Sequence, residues 1–124
     1  MSEPEKIKKL FAALLKSESF YFPEKGKLDI TCEHGVYIIL DTKQQVVHVG
    51  NTTRGEKGLC QRLNNHIGGS SSFSKNYLKP KQLSIRDGFI YKLLEVPNAR
   101  ERSILQAFTI GTLCPKHIGT GEKK

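Results

Sequence analysis

The sequence predicts a small α/β domain of the α+β kind: a three-stranded, mostly antiparallel sheet flanked by helices. Two runs rich in β-branched and aromatic residues, GVYIIL (35–40) and QVVHVG (45–50), flank a short polar turn, the signature of a hairpin. A third such run, FIYKLLEV (89–96), follows further along. Three segments carry apolar residues at helical spacing: one before the hairpin, one between it and the third strand, and one after.

Residues 2–16 read as the first helix. Ser2 with Glu5 three positions on forms a capping box, Pro4 is tolerated in a first turn, and Leu10, Phe11, Leu14 and Leu15 make one apolar stripe. FYFPEKGKLDI then reads as irregular, broken by Pro23 and Gly26. Residues 1–30 are therefore expected to be a helical N-terminal extension packed on a main domain of residues 31–124. The hairpin loop is either two residues (Thr42-Lys43) or four (Thr42 to Gln45). Both give an odd pairing sum, so Tyr37 and His48 project from one face in either register.

NTTRGEKG reads as a polar loop, and the second helix is expected around 56–67. GGSSSFSKN is expected to be a flexible connection, and YLKPKQLSIRDG adds three basic residues in a loop or short helix. The last helix lies within PNARERSILQAFTIGTLCP, with Asn98 as its cap and Gly111 and Pro115 marking its end.

The chain has 124 residues, enough for one domain with a core of its own. No apolar run approaches the roughly 18–20 residues of a membrane span, and the N-terminus opens on acidic residues without a cleavage-site pattern. Cys32, Cys60 and Cys114 are odd in number and lack CxxC spacing, which argues against a disulfide framework. A cytoplasmic protein without membrane attachment is expected. Cys32, His34, Cys114 and His117 could offer four zinc ligands, but their spacing is unlike common zinc modules. Twenty Lys plus Arg against twelve Asp plus Glu leave a formal charge of +8, which suits either a polyanionic partner or a merely soluble surface. Nucleic acid is the first candidate.

Some polar residues stand where packing alone would not put them. In GLCQRLNNHIGG (58–69), Leu59, Leu63 and Ile67 form an apolar face, and Arg62 and His66 border it one turn apart, at the expected rim of the core. Glu101 precedes Ile104, Leu105 and Phe108 on the last helix, so it is expected on the buried stripe, paired, metal-bound or beside a cleft. The plainer alternative is a helix-start glutamate favoured by the dipole and bridged to an arginine.

Together these elements resemble the GIY-YIG nuclease family. GVY (35–37) stands for the first motif and HVG (48–50) for the second at the usual spacing. LCQRLNNH (59–66) stands for the arginine helix and ARERSIL (99–105) for the helix with the metal-binding glutamate. The resemblance implies a metal-dependent DNA endonuclease that hydrolyses a phosphodiester by a one-metal mechanism. Glu101 would hold Mg²⁺ or Mn²⁺, Arg62 would neutralise the phosphate, and Tyr37 with His48 and His66 would activate water. Arg54, Lys57, Lys75, Lys79 and Lys81 are the expected DNA contacts, and members of the family usually act with an additional DNA-recognition domain or partner protein. Two departures stand out: His48 replaces the second motif tyrosine, and in place of an asparagine after the last helix CPKHIG offers His117. They leave open a non-catalytic nucleic-acid-binding module on the same scaffold. A small interaction domain is a third reading.

Overall fold

Alternating side chains make the hairpin two-faced, and both faces are covered. Val36, Ile38 and Val49 point into one apolar cluster, and Tyr37, Ile39 and Val47 point into another. The computed structural model describes residues 1–53 and 57–119. Its elements are α1 (Glu3–Lys16), β1 (Phe20–Tyr21), β2 (Gly35–Leu40), β3 (Val46–Asn51), α2 (Gly58–Gly68), β4 (Ile90–Glu95) and α3 (Ala99–Leu113). A π-helical turn, Ser74–Leu78, lies between α2 and β4. No helix among the described residues is long and apolar enough to cross a membrane.

The sheet is antiparallel throughout, in the order β1-β4-β2-β3. It has four strands among the described residues, not the expected three. β1 comes from the segment read as irregular and pairs Phe20 with Tyr91 and Tyr21 with Ile90. Two residues are too few to show alternation, and what makes them a strand is the open edge of β4.

The hairpin loop is neither of the expected lengths. Asp41 N donates to Gln45 O, and Gln44 takes a left-handed conformation (φ 60°), which makes a three-residue loop. Its even pairing sum is corrected by a bulge: Leu40 faces Val46 while Ile39 faces His48, leaving Val47 as the extra residue. Tyr37 faces Gly50, so Tyr37 and His48 do share a sheet face. Gly50 is required there, because a Cβ would lie 2.3 Å from the Tyr37 hydroxyl oxygen.

α1 and α3 cover one face. Ile7 and Leu14 join Val36, Ile38 and Leu105 in a cluster that Ile104 and Phe108 flank, and Phe11 meets Phe108 edge-on at 5.1 Å between ring centroids. Both helices start as expected: Ser2 Oγ accepts from Glu5 N, and Asn98 Oδ1 accepts from Glu101 N. Gly111 lies inside α3, which ends at Leu113 with left-handed Cys114 before Pro115.

α2 and the segment after it cover the other face. Leu59 and Leu63 are fully buried, each contributing roughly 2 kcal/mol of apolar transfer. The loop before β2 fixes where α2 begins. Gly58 has φ +73°, and a Cβ there would come 2.0 Å from Cys32 O. Leu59 N donates to Glu33 O, and Asn64 binds both the N–H and the carbonyl of Leu28. Cys32 and Cys60 form a disulfide across the same contact, with Cα atoms 4.7 Å apart. The expectation of no disulfide is thus corrected: an odd count leaves Cys114 over but does not stop the other two from meeting. With Cys32 so bonded, the four-ligand zinc set is not assembled, and no cluster of three or more such ligands occurs among the described residues.

Candidate functional site

The anchoring of α2 decides where its polar residues point. With Leu59 and Leu63 down on the sheet, Arg62 and His66 come to the edge of a cleft of about 290 Å³. β3 supplies His48 and Gly50, α3 supplies Gln106 and Ile110, and the loop after α2 supplies Ser70–Ser72.

Tyr37 lies behind this cleft and is sealed, with no exposed surface. Its hydroxyl is 2.5 Å from His66 Nε2. A chain of hydroxyls fixes the ring's protons. Ser74 Oγ donates to His66 O at 2.7 Å, so its hydrogen is committed, and Ser71 Oγ must donate to Ser74 Oγ at 3.1 Å. His66 Nδ1 therefore donates to Ser71 Oγ at 2.6 Å, and His66 Nε2 accepts from Tyr37. This assignment needs a neutral ring. Burial, with Arg62 and then His117 adding to it, lowers the His66 pKa to about 3.

His48 is the second buried imidazole, 5% exposed and lining the cleft. Phe73 stacks on it at 4.9 Å, and its Nδ1 lies 3.1 Å from His117 Nδ1. Burial, and after it the charges His66, His117 and Arg62 can carry, push its pKa well below the ordinary imidazole value. Its Nε2 is buried and has no hydrogen-bond partner among the described residues. An unpaired polar atom on a residue that lines a cleft is one that a water or a ligand can satisfy.

Of the expected site residues, the structure brings Tyr37, His48, Arg62 and His66 together. It does not bring Glu101 with them. The Glu101 carboxylate sits 2.6 Å from Lys6 Nζ, and the residue does not line the cleft. The stripe of Glu101, Ile104 and Phe108 faces α1, whereas Arg102, Leu105 and Thr109 are the buried residues of α3. α3 is covered on two sides, and counting apolar neighbours could not say which side held the cleft. The buried charge at its start is Arg102, whose guanidinium donates to the Thr52, Val96 and Pro97 carbonyls.

Lys57, Lys75, Lys79 and Lys81 are exposed and lie outside the cleft wall, with Lys81 Nζ 5.4 Å from the centre of the Tyr77 ring. Arg54 lies outside the described residues. Sequence reasoning missed Gln106, Ser71 and Ser74. One signal was visible: a lone glutamine inside the run SILQAF. The serines were read as flexible connection, but they hold His66.

The described cleft lining does not by itself fit a resident Mg²⁺ or Mn²⁺. Its side chains include an arginine and neutral amides, hydroxyls and imidazoles, but no carboxylate. Hard divalent ions are held by carboxylates or brought by phosphates.

No family model and no curated protein matches the sequence. Among solved structures, the chain is similar to the GIY-YIG N-terminal endonuclease domain of UvrC from Thermotoga maritima bound to its catalytic divalent cation, magnesium. That likeness has 27% identity, covers 94% of this chain and 97% of that one, and has a TM-score of 0.49. It is also similar to a point mutant of the same domain bound to its catalytic divalent cation, at 27% identity, with 94% and 96% covered and a TM-score of 0.49.

Proposed function

We propose that the chain is a GIY-YIG-type nuclease that hydrolyses a DNA phosphodiester in the cleft between α2, β3 and α3. The observation that carries this reading is the buried, unpartnered His48 Nε2 at a cleft that Arg62 also lines. Arg62 suits a phosphate oxygen, being permanently charged and fork-shaped. Its catalytic contribution is to neutralise charge as it builds on phosphorus.

His48 replaces Tyr37 as the water-activating group in this proposal, because the Tyr37 hydroxyl is already bonded to His66 and does not line the cleft, whereas His48 lines it and its Nε2 has no partner among the described residues. With its proton on Nδ1 and donated to His117, His48 keeps a lone pair at Nε2 for a water bound in the cleft. It takes a proton from water as the oxygen attacks phosphorus. The 3′ oxygen leaves and is protonated by solvent. Tyr37, His66, Ser71 and Ser74 are positioning residues that hold the wall of the cleft. The UvrC domains carry a divalent cation; in this chain we propose that such a cation accompanies the phosphodiester. The exposed lysines 57, 75, 79 and 81, with Arg54, would track neighbouring phosphates, and base readout would fall to another domain or a partner protein.

The lack of a carboxylate in the described cleft lining favours a second reading, a nucleic-acid-binding module without cleavage. Plasmid nicking with Mg²⁺ or Mn²⁺ separates the two. Cleavage by the wild type that is lost in both Arg62→Ala and His48→Gln supports the nuclease. Salt-sensitive DNA retention without any cleavage supports the binder, and cleavage undiminished in both variants refutes the assignment of the cleft.

A further inference from the structure

We infer that Gln106 is the residue through which α3 meets the substrate, and that its amide leaves the cleft without a resident divalent cation until a phosphodiester arrives. The inference deepens the reading of the cleft as a phosphodiester site. Residues 101 and 106 are five positions apart, about 140° around a helix, so one helix cannot turn both to the same place. The Glu101 carboxylate is committed to Lys6. Gln106 lines the cleft, and its Nε2 lies 3.4 Å from Val49 O, a contact that orients the amide. Its Oε1 accepts from no described donor, so a neutral oxygen is what α3 offers a cation.

One amide oxygen is a weak ligand for a hard cation, and the neighbouring Arg62 charge opposes it further. A phosphodiester changes both conditions. Its oxygens bring ligands of their own, and its charge offsets that of Arg62. Cation and phosphate therefore bind with positive linkage, each tightening the other. A carboxylate at position 106 would supply the missing charge and make a site in the free protein.

The test is Mn²⁺ binding followed by electron paramagnetic resonance, on the intact protein without DNA. Wild type, Gln106→Glu and Glu101→Gln are compared, with circular dichroism to confirm that each is folded. A fourth sample is wild type with a phosphorothioate oligonucleotide that resists cleavage. Gln106→Glu should bind one Mn²⁺ on the order of 10-fold more tightly than wild type or tighter, and Glu101→Gln should match wild type. The oligonucleotide should also tighten Mn²⁺ binding to the wild type beyond what the oligonucleotide binds alone. A wild-type site weakened by Glu101→Gln would overturn the inference, as would a Gln106→Glu variant no tighter than wild type. None of these readouts needs cleavage, so an inactive protein would count against the nuclease and not against the role of Gln106.

Discussion

Replacing His66 with glutamine should remove most of one acid-linked loss of stability. In the folded chain the His66 ring is 2% exposed and titrates at about 3. In an unfolded chain a histidine titrates near 6.5. The unfolded state therefore binds the proton first, so stability is full above about pH 6.5 and falls as pH drops toward 3. At about pH 5 the unfolded ring gains a factor of roughly 30 in protonation while the folded ring gains almost none, a loss of about 2 kcal/mol relative to about pH 7.5. His48, shifted in the same direction for the same first cause, adds a loss of the same sign. Urea unfolding of wild type and His66→Gln at the two pH values gives four free energies. The wild type should lose about 2 kcal/mol more than the variant on acidification. Equal losses would refute the buried neutral ring, and with it the proton assignment from Tyr37 through Ser74.

Other outcomes follow from single contacts. Arg62→Ala should lower cleavage by about 10²-fold or more with unfolding free energy nearly unchanged, measured by plasmid nicking beside urea unfolding. The wild-type rate should hold as pH falls through 6.5 and drop only below it, because His48 stays unprotonated there; a pH–rate profile with its acid limb at or above 6.5 would remove His48 as the base. Gly50→Ala should destabilise by about 1–3 kcal/mol, since the new methyl would meet the Tyr37 hydroxyl, and Tyr37→Phe in the same chain should restore part of that. Breaking Cys32–Cys60, which are 28 residues apart in sequence, should cost up to about 3–4 kcal/mol by the loop-entropy relation, read as a shift in the urea midpoint between oxidised protein and Cys32→Ser/Cys60→Ser.

Much of the fold was legible because its signals are local. Ser2 and Asn98 announce their helices through capping, and the alternation in GVYIIL and QVVHVG announces the hairpin. Tyr37 and His48 could be put on one face since pairing parity survives a three-residue loop when a bulge follows it. What escaped depends on contacts between distant segments. β1 exists because β4 has an open edge, and the disulfide exists because the loop before β2 lies across the start of α2. The site divides in the same way. Arg62 and His66 could be placed from the apolar face of α2 alone, because that helix packs on one side. α3 packs on two, so Glu101 and Gln106 could be told apart only once α1 was seen to cover the Glu101 side.

The most direct test of the cleft is nuclear magnetic resonance of its side chains. Protein labelled with ¹⁵N is titrated with a short cleavage-resistant DNA duplex, and the imidazole and guanidinium resonances are followed. If a phosphodiester enters the cleft, His48 Nε2 and the Arg62 guanidinium should shift together and saturate at one DNA concentration, while His34 should stay in place. Shifts confined to the exposed lysines, with His48 and Arg62 unmoved at saturation, would contradict the assignment of this cleft to DNA.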